Sequence, residues 1–218
     1  MRRARMVPAA VASLPSLFLP NKIGRILLLS LEEVIGHNGV NAVLNVAELP
    51  HLIPNLPPNT LDREFAFADL GHIHQALDRL YGQRAGSGLA LRTGRAAFKH
   101  ALREFGPMLG MTELSYRLLP LHMKLKSGLE GTAGILNRHT DQTVHLEETP
   151  DAYLFHLDVC PLCWGRHLDQ PGCHLAIGFF QEGLGWMSGG KNFLVEETAC
   201  AARGDPGCVL RIVRQPLD

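Results

Sequence analysis

The chain has 218 residues, 46% of them hydrophobic, and its 21 lysines and arginines balance 21 aspartates and glutamates. This length suits one well-filled core. The balanced charge excludes the basic surface by which nucleic-acid-binding proteins hold phosphates. No apolar run reaches the roughly 20 residues that a membrane-spanning helix needs, so we expect a globular protein with no transmembrane segment and no nucleic-acid partner.

The first 20 residues differ from the rest of the chain. Three arginines followed by a stretch of small residues resemble a signal peptide, but Pro8, Pro15 and Pro20 interrupt any apolar helix. We therefore predict an N-terminal extension over residues 1–20 and a single domain over residues 21–218. The odd number of cysteines does not suit a disulfide framework, and we expect a cytoplasmic protein with reduced thiols.

The first half of the chain carries helical patterns. Apolar residues recur at helical spacing over residues 21–36, which Asn21 can cap and Gly36 can end. Further apolar residues widen this face, so we expect it to pack against its own domain and a second copy, as a homodimer. A proline-rich connector follows over residues 50–58. The other predicted helices are 39–49, 67–81, 87–105 and a kinked or split helix over 111–138.

The second half changes to a period of two. Alternating apolar and polar residues predict a strand over 153–159, with a shorter partner over 142–147. A helix is predicted over 173–189, and strands over 193–199 and 209–214 flank a glycine- and proline-rich turn. The predicted fold class is α+β, with a helical N-terminal half followed by a mostly antiparallel sheet of about four strands packed against helices.

All five cysteines lie in the last quarter of the chain. A hairpin between the last two strands would bring Cys200 and Cys208 together, with Glu197 one step back along its strand. Cys173, at the start of the preceding helix, is the natural fourth donor, since a helix N-terminus favours the thiolate. Three thiolates and one carboxylate suit tetrahedral zinc with no open position, which would be structural.

Three alternatives to this ligand set stay open. Cys160 and Cys163, spaced C-x-x-C, would form a four-thiolate zinc site with Cys200 and Cys208. An iron–sulfur cluster has enough thiols, but the usual close cysteine run is missing. The thiols would also be ordinary core residues if no metal binds, because cysteine is among the most buried residue types.

Two segments, 173–183 and 195–208, resemble the vinyl-four-reductase (4-vinyl reductase, hydrocarbon-binding) domain family. That family is similar to the aromatic-sensing domains of phenol- and xylene-responsive activators, and related in fold to TRAPP and NO-signalling ligand-binding proteins. The resemblance implies a zinc site formed by Cys173, Glu197, Cys200 and Cys208. The additional Cys160-Pro-Leu-Cys163 element resembles the bacteriochlorophyll-synthesis members of the family.

The resemblance also implies a ligand cavity between the sheet and the helices. Six candidate ligand-binding residues are Phe155, Trp164, His167, Phe179, Phe180 and Trp186. We therefore expect a zinc-stabilised domain that binds a hydrophobic or aromatic small molecule and is not an enzyme. A second possibility is a bacteriochlorophyll-synthesis protein that carries or reduces a vinyl tetrapyrrole, and a third is a scaffold subunit. A carrier suits the sequence better than a reductase because the chain has no G-x-G-x-x-G nucleotide fingerprint.

Overall fold

The computed structural model describes residues 15–111 and 113–217. Most of the predicted N-terminal extension lies outside these residues, so the division into extension and domain stays a prediction. The elements in chain order are β1 (Phe18–Pro20), α1 (Asn21–Val46), β2 (Arg63–Ala66), α2 (Phe67–Tyr81), α3 (Gln83–Phe105), α4 (Leu114–Arg117), α5 (Leu121–His139), β3 (Val144–Glu148), β4 (Ala152–Leu157), α6 (His174–Ser188), β5 (Val195–Ala199) and β6 (Cys208–Val213).

The first helix continues where the sequence predicted two. Gly36 interrupts α1 with φ 74° and ψ 165°, a conformation outside the helical region, and helical geometry resumes directly after it. Glycine adopts a positive φ without the steric penalty that a Cβ atom brings. The residue that predicts a helix end is therefore a kink between two halves of one element.

The ladder of β1 and β2 was missed in the sequence analysis. Phe18 pairs with Ala66 and Leu19 with Phe65, and the register shifts before Pro20. Strands of three and four residues, one ending in proline, are too short to show an alternating pattern. Leu19, in this ladder, is 3% exposed and belongs to the same hydrophobic cluster as Leu27 and Leu28 of α1.

The region predicted as a kinked or split helix is indeed divided. It forms the single turn of α4 and, after Pro120, the 19-residue helix α5. Proline cannot continue a helix from the preceding residue without loss of a hydrogen bond and a steric clash. The three glycines of α5 cause no further break.

The late strands form one antiparallel sheet in the order β3-β4-β6-β5, which confirms the predicted α+β fold class. Two hairpins, β3–β4 and β5–β6, meet along the central β4–β6 pair. The register of that pair sets Leu157, the last residue of β4, opposite Cys208, the first residue of β6. The chain therefore leaves the sheet after β4 beside the start of β6.

Helix α6 lies between this sheet and α3. Phe180 on α6 packs against Phe155 on β4 with ring centroids 4.7 Å apart. On the opposite side α6 crosses α3 at Gly178 and Gly94, where the two backbones approach closely. In the described part of the chain, no helix has both the length and the apolar character to cross a membrane.

Candidate metal centre and apolar cavity

The cysteines come together where three segments of the chain meet. Cys160 and Cys163 lie in the loop after β4, Cys173 immediately precedes α6, and Cys200 and Cys208 lie at the facing ends of β5 and β6. Successive turns shape the first loop, with the amide of Cys163 donating to the carbonyl of Cys160. All five thiols are buried, between 0 and 5% exposed. The sheet register thus brings residues 48 positions apart in sequence into one cluster.

The cluster contains two overlapping groups of possible ligands. In each group the ligand atoms all lie within 4.8 Å of one another. Cys163 and Cys208 belong to both groups, and their Sγ atoms are 3.4 Å apart. The first group is Cys160, Cys163, Cys173 and Cys208, and the second is Cys163, Glu197, Cys200 and Cys208.

The four ligands predicted from the resemblance are divided between these groups. Cys173 belongs to the first group, Glu197 and Cys200 to the second, and Cys208 to both. Cys163, which the sequence analysis treated as an alternative ligand, lies at the centre. Its Sγ is 3.6 Å from that of Cys173 and 3.6 Å from that of Cys200.

Backbone amides hold the cluster in place. Glu197 Oε2 accepts a hydrogen bond of 2.7 Å from the amide of Cys173, and Cys208 Sγ accepts one of 3.2 Å from Ala201. Asp205 stabilises the hairpin turn by accepting a 2.8 Å bond from the amide of Cys200. The second carboxylate oxygen of Glu197, Oε1, is buried and has no hydrogen-bond partner among the described residues. A buried carboxylate oxygen of this kind takes an ordered water or a cation as its partner.

The pKa values of the thiols diverge because they crowd together. Hydrogen bonds from Cys160, Cys173 and Cys208 lower the pKa of the Cys163 thiol far below its ordinary value. The pKa values of Cys173 and Cys208 are raised, and the largest cause is the hydrogen bond that each forms with Cys160. The neighbouring thiols thus stabilise the thiolate form of Cys163 by hydrogen bonding. A divalent ion replaces the thiol protons and favours the thiolate at every ligand.

The loop that carries Cys160 and Cys163 packs tightly on α2. A Cβ atom at Gly71 would lie 2.4 Å from the carbonyl oxygen of Trp164, so this helix position accepts only glycine without rearrangement. The Trp164 ring packs edge-on against Phe67, with centroids 5.7 Å apart. The buried guanidinium of Arg166 donates to the Leu162 carbonyl and to Asp78 on α2. These contacts fix the loop, and hence two thiols, relative to the helices.

His74 on α2 is a buried histidine beside this loop. Its Nδ1 is 3.0 Å from the carbonyl of Leu70, and its Nε2 has no partner among the described residues. Burial, and secondarily the nearby charge of Arg166, lower the pKa of His74 from 6.5 to about 4. The imidazole is therefore neutral at pH 7, with its proton on Nδ1.

We expect His74 to make the folded state sensitive to acid. Between pH 6.5 and about pH 4 the unfolded chain binds a proton at this residue and the folded chain does not. The free energy of unfolding therefore decreases as the pH is lowered from 6.5 to about 4, by about 3 kcal/mol in total. Denaturant unfolding of the wild type and of His74→Gln at several pH values should show a shallower pH slope for the variant.

The control for this prediction is His72→Gln, an exposed position on the same helix. Protonation of the cysteines and of the carboxylates is common to all three proteins, so its contribution cancels when their pH slopes are compared. Equal slopes for the wild type and His74→Gln would show that His74 does not destabilise the folded state in acid.

A cavity of about 210 Å³ lies among α1, α3, α5, α6 and β4. Its wall is almost entirely hydrocarbon, and Thr132 and Gln142 are its polar side chains among the described residues. Thr132 uses its hydroxyl proton within α5, donating to the Gly128 carbonyl at 2.8 Å. Pro161 and Leu162, the residues between the paired cysteines, form part of the wall. The cavity and the cysteine cluster are therefore neighbours that share one loop.

Three of the six predicted ligand-binding residues, Phe155, Phe179 and Phe180, line this cavity. The other three do not. Trp164 packs on α2, His167 is exposed, and Trp186 stacks on Tyr116 with ring centroids 6.3 Å apart. The contributions of α1 and α5 are not predictable from the sequence, because apolar residues at helical spacing look the same whether they fill a core or line a cavity.

Comparisons with known proteins locate the fold but not a family. Searches with protein-family models and among curated proteins each give no match. Solved structures do match. An H-NOX protein from S. oneidensis in the Fe(II)NO state has a TM-score of 0.55 and 13% identity, over 89% of this chain and 99% of that chain.

Two other solved structures cover most of the same elements. An H-NOX structure from a study of haem distortion in that family gives a TM-score of 0.60 and 13% identity, covering 92% of this chain and 97% of the other. The phenol-responsive sensory domain of the transcription activator PoxR, crystallised with phenol, gives 0.50 and 18%, covering 70% and 77%. The chain has the fold of these H-NOX structures and of the PoxR sensory domain, in agreement with the α+β fold predicted from the sequence.

Proposed function

We propose that this chain is a metal-stabilised binding domain that senses or carries a small apolar molecule, as the vinyl-four-reductase resemblance suggests. The observation that carries the proposal is the hydrocarbon-walled cavity between the helices and the sheet. Similarity in fold to sensory domains, one of them crystallised with phenol, supports it. The cytoplasmic setting and the homodimer predicted from the sequence remain part of this proposal.

The size of the cavity favours a ligand of one or two rings. A cavity of about 150 Å³ lined by leucine, isoleucine and phenylalanine holds benzene, and this cavity measures about 210 Å³. With only Thr132 and Gln142 as polar groups in its described wall, it offers few partners for a ligand's own polar groups. Desolvating a polar ligand without full hydrogen bonding is unfavourable. We therefore expect hydrocarbons such as p-xylene and naphthalene to bind better than phenol.

The described lining residues do not fit a haem. They include no histidine, cysteine or tyrosine, which are the common axial ligands of haem iron. Met111 and Met187 line the wall. In the cytochromes c, however, methionine binds haem iron together with a histidine, and the described lining has no histidine. The cavity volume likewise favours a smaller molecule than the vinyl tetrapyrrole considered above.

The cysteine cluster, in contrast, fits a soft divalent cation such as zinc. Buried thiolates with one carboxylate are the donors that zinc prefers, and they leave no position for water. The ion would fasten the loop after β4, the start of α6 and the β5–β6 hairpin to one another. Because Pro161 and Leu162 also contact the cavity, ligand and ion would act on the same loop, and any effect of one on the binding of the other would be reciprocal.

The proposal is tested by titrating the purified full chain with naphthalene, p-xylene, phenol and haemin separately. We expect the two hydrocarbons to raise the thermal midpoint in a saturable manner, because a ligand that binds only the folded state stabilises it. Haemin should give no saturable change in its absorption spectrum. If no hydrocarbon raises the midpoint at its solubility limit, the proposed function is wrong.

Filling the cavity should abolish this effect. Ala97 on α3 is 6% exposed and lines the wall, and leucine at this position would occupy the space that a ligand needs. We expect Ala97→Leu to weaken naphthalene binding by about tenfold or more, equivalent to at least about 1.4 kcal/mol. Calorimetric or fluorescence titration with naphthalene measures the change.

The matched control is Ala85→Leu, which makes the same substitution at an exposed position on the same helix. This variant should bind naphthalene as the wild type does. Equal affinity for all three proteins would place the binding site outside the cavity.

A further inference from the structure

The two overlapping ligand groups point to a second metal ion. We infer that the cluster holds a binuclear centre, in which Cys163 and Cys208 bridge two divalent cations. Cys160 and Cys173 would complete the first tetrahedron, and the second would use Cys200 and Glu197. This inference rests on the proposed metal-stabilised fold and adds a second ion to it.

The distances suit two tetrahedra that share an edge. A zinc–sulfur bond of about 2.3 Å gives tetrahedral sulfur–sulfur edges of about 3.8 Å. Two cations that share an edge repel each other, and the two shared sulfur atoms move closer together because they then screen this repulsion better. The Cys163 and Cys208 Sγ atoms are 3.4 Å apart, shorter than the 3.6 Å from Cys163 to Cys173 or to Cys200. With this shared edge, the two zinc ions would be about 3.1 Å apart.

A single ion leaves some of the six buried candidate ligands unbound in either position. An ion in the first group leaves Glu197 Oε1 buried and unpaired next to a tetra-thiolate site. An ion in the second group leaves the Cys160 and Cys173 thiols, 3% and 0% exposed, against each other at 3.5 Å. Two ions use every donor.

The charge balance also permits two ions. Five thiolates and one carboxylate carry six negative charges, and two divalent cations leave a net charge of −2. This is the net charge of an ordinary zinc site with four thiolates. The amide of Ala201 donates to the bridging Cys208 at 3.2 Å, and such hydrogen bonds stabilise the residual negative charge on sulfur.

The experiment counts ions bound to the full chain. The reduced protein is loaded with Zn²⁺, washed free of excess metal, and analysed by native mass spectrometry and by elemental analysis. We expect two zinc ions in the wild type. Cys160→Ser and Cys200→Ser each remove one terminal ligand from a different ion, and each variant should retain a single ion.

A single ion in the saturated wild type would overturn the inference, whichever group holds it. X-ray absorption of the zinc- or cadmium-loaded wild type provides a second readout that needs no variant to fold. A metal–metal scattering distance supports the bridged pair, and its absence from a chain with two ions would show separate sites and overturn the bridging. The hydrocarbon titration is independent of these measurements, so a binuclear chain that binds no hydrocarbon would contradict the proposed function alone.

Discussion

Replacing Cys163 with serine should abolish the metal-dependent stability that we propose for this domain. Its thiol belongs to both ligand groups and is 5% exposed, so an ion in either group would bind it. Structural zinc contributes on the order of 10 kcal/mol to folding, comparable with the whole free energy of unfolding of a typical domain. We expect Cys163→Ser to lose its cooperative thermal transition at neutral pH, whereas the zinc-loaded wild type retains it.

The wild type treated with a chelator is the control that separates metal loss from local packing effects. Serine is close to cysteine in size, so the variant and the chelated wild type should have similar far-UV circular dichroism and similar thermal profiles. Added zinc should restore the wild type and leave Cys163→Ser unchanged. A variant that unfolds like the zinc-loaded wild type would show that Cys163 is an ordinary core thiol.

The second large effect is expected at the crossing of α3 and α6. A Cβ atom at Gly94 would lie 1.9 Å from the Leu175 carbonyl oxygen, and one at Gly178 would lie 2.0 Å from the Leu91 carbonyl oxygen. The obstacles are helix backbones, which cannot rotate aside as a side chain does. Gly94→Ala therefore forces the helices apart, and we expect a loss in the free energy of unfolding near the upper end of the usual range for overpacking, about 3 kcal/mol.

Gly88→Ala, on the same helix, is the matched control. A Cβ atom at Gly88 meets nothing within 4 Å, so alanine should raise the free energy of unfolding by about 0.5 to 1 kcal/mol through its better helix propensity. Urea denaturation of both variants gives the two values with opposite signs. If Gly94→Ala is as stable as Gly88→Ala, the two helices do not pack as closely as described.

The elements that the sequence predicts well are those with long, regular patterns. The helix over 67–81 and the four late strands are confirmed to within a few residues, because each buries one face against a core and shows the matching period. The β1–β2 ladder was missed, since three or four residues show no period. The continuation of α1 past Gly36 was also missed, because glycine predicts an end and a kink equally well.

The candidate site divides in the same way. Cysteine spacing predicted the six candidate ligands that the structure brings together, because thiols and a carboxylate in one short stretch are typical of metal ligands. Spacing did not identify Cys163 as a member of both ligand groups. That position depends on the register that sets Cys208 opposite Leu157, from which the loop carrying Cys163 begins.

Amino-acid types and their periods alone therefore determined the α+β class, the order of helices and strands, and the donors available to a metal. The tertiary structure decided which candidate ligands lie close enough to share an ion, that Phe155 and Phe180 face a cavity while Trp164 packs on α2, and that the cavity and the cluster share a loop. The physical reason is that a period reports which face of an element is buried. Whether that face meets another side chain or an empty space depends on residues far away in sequence.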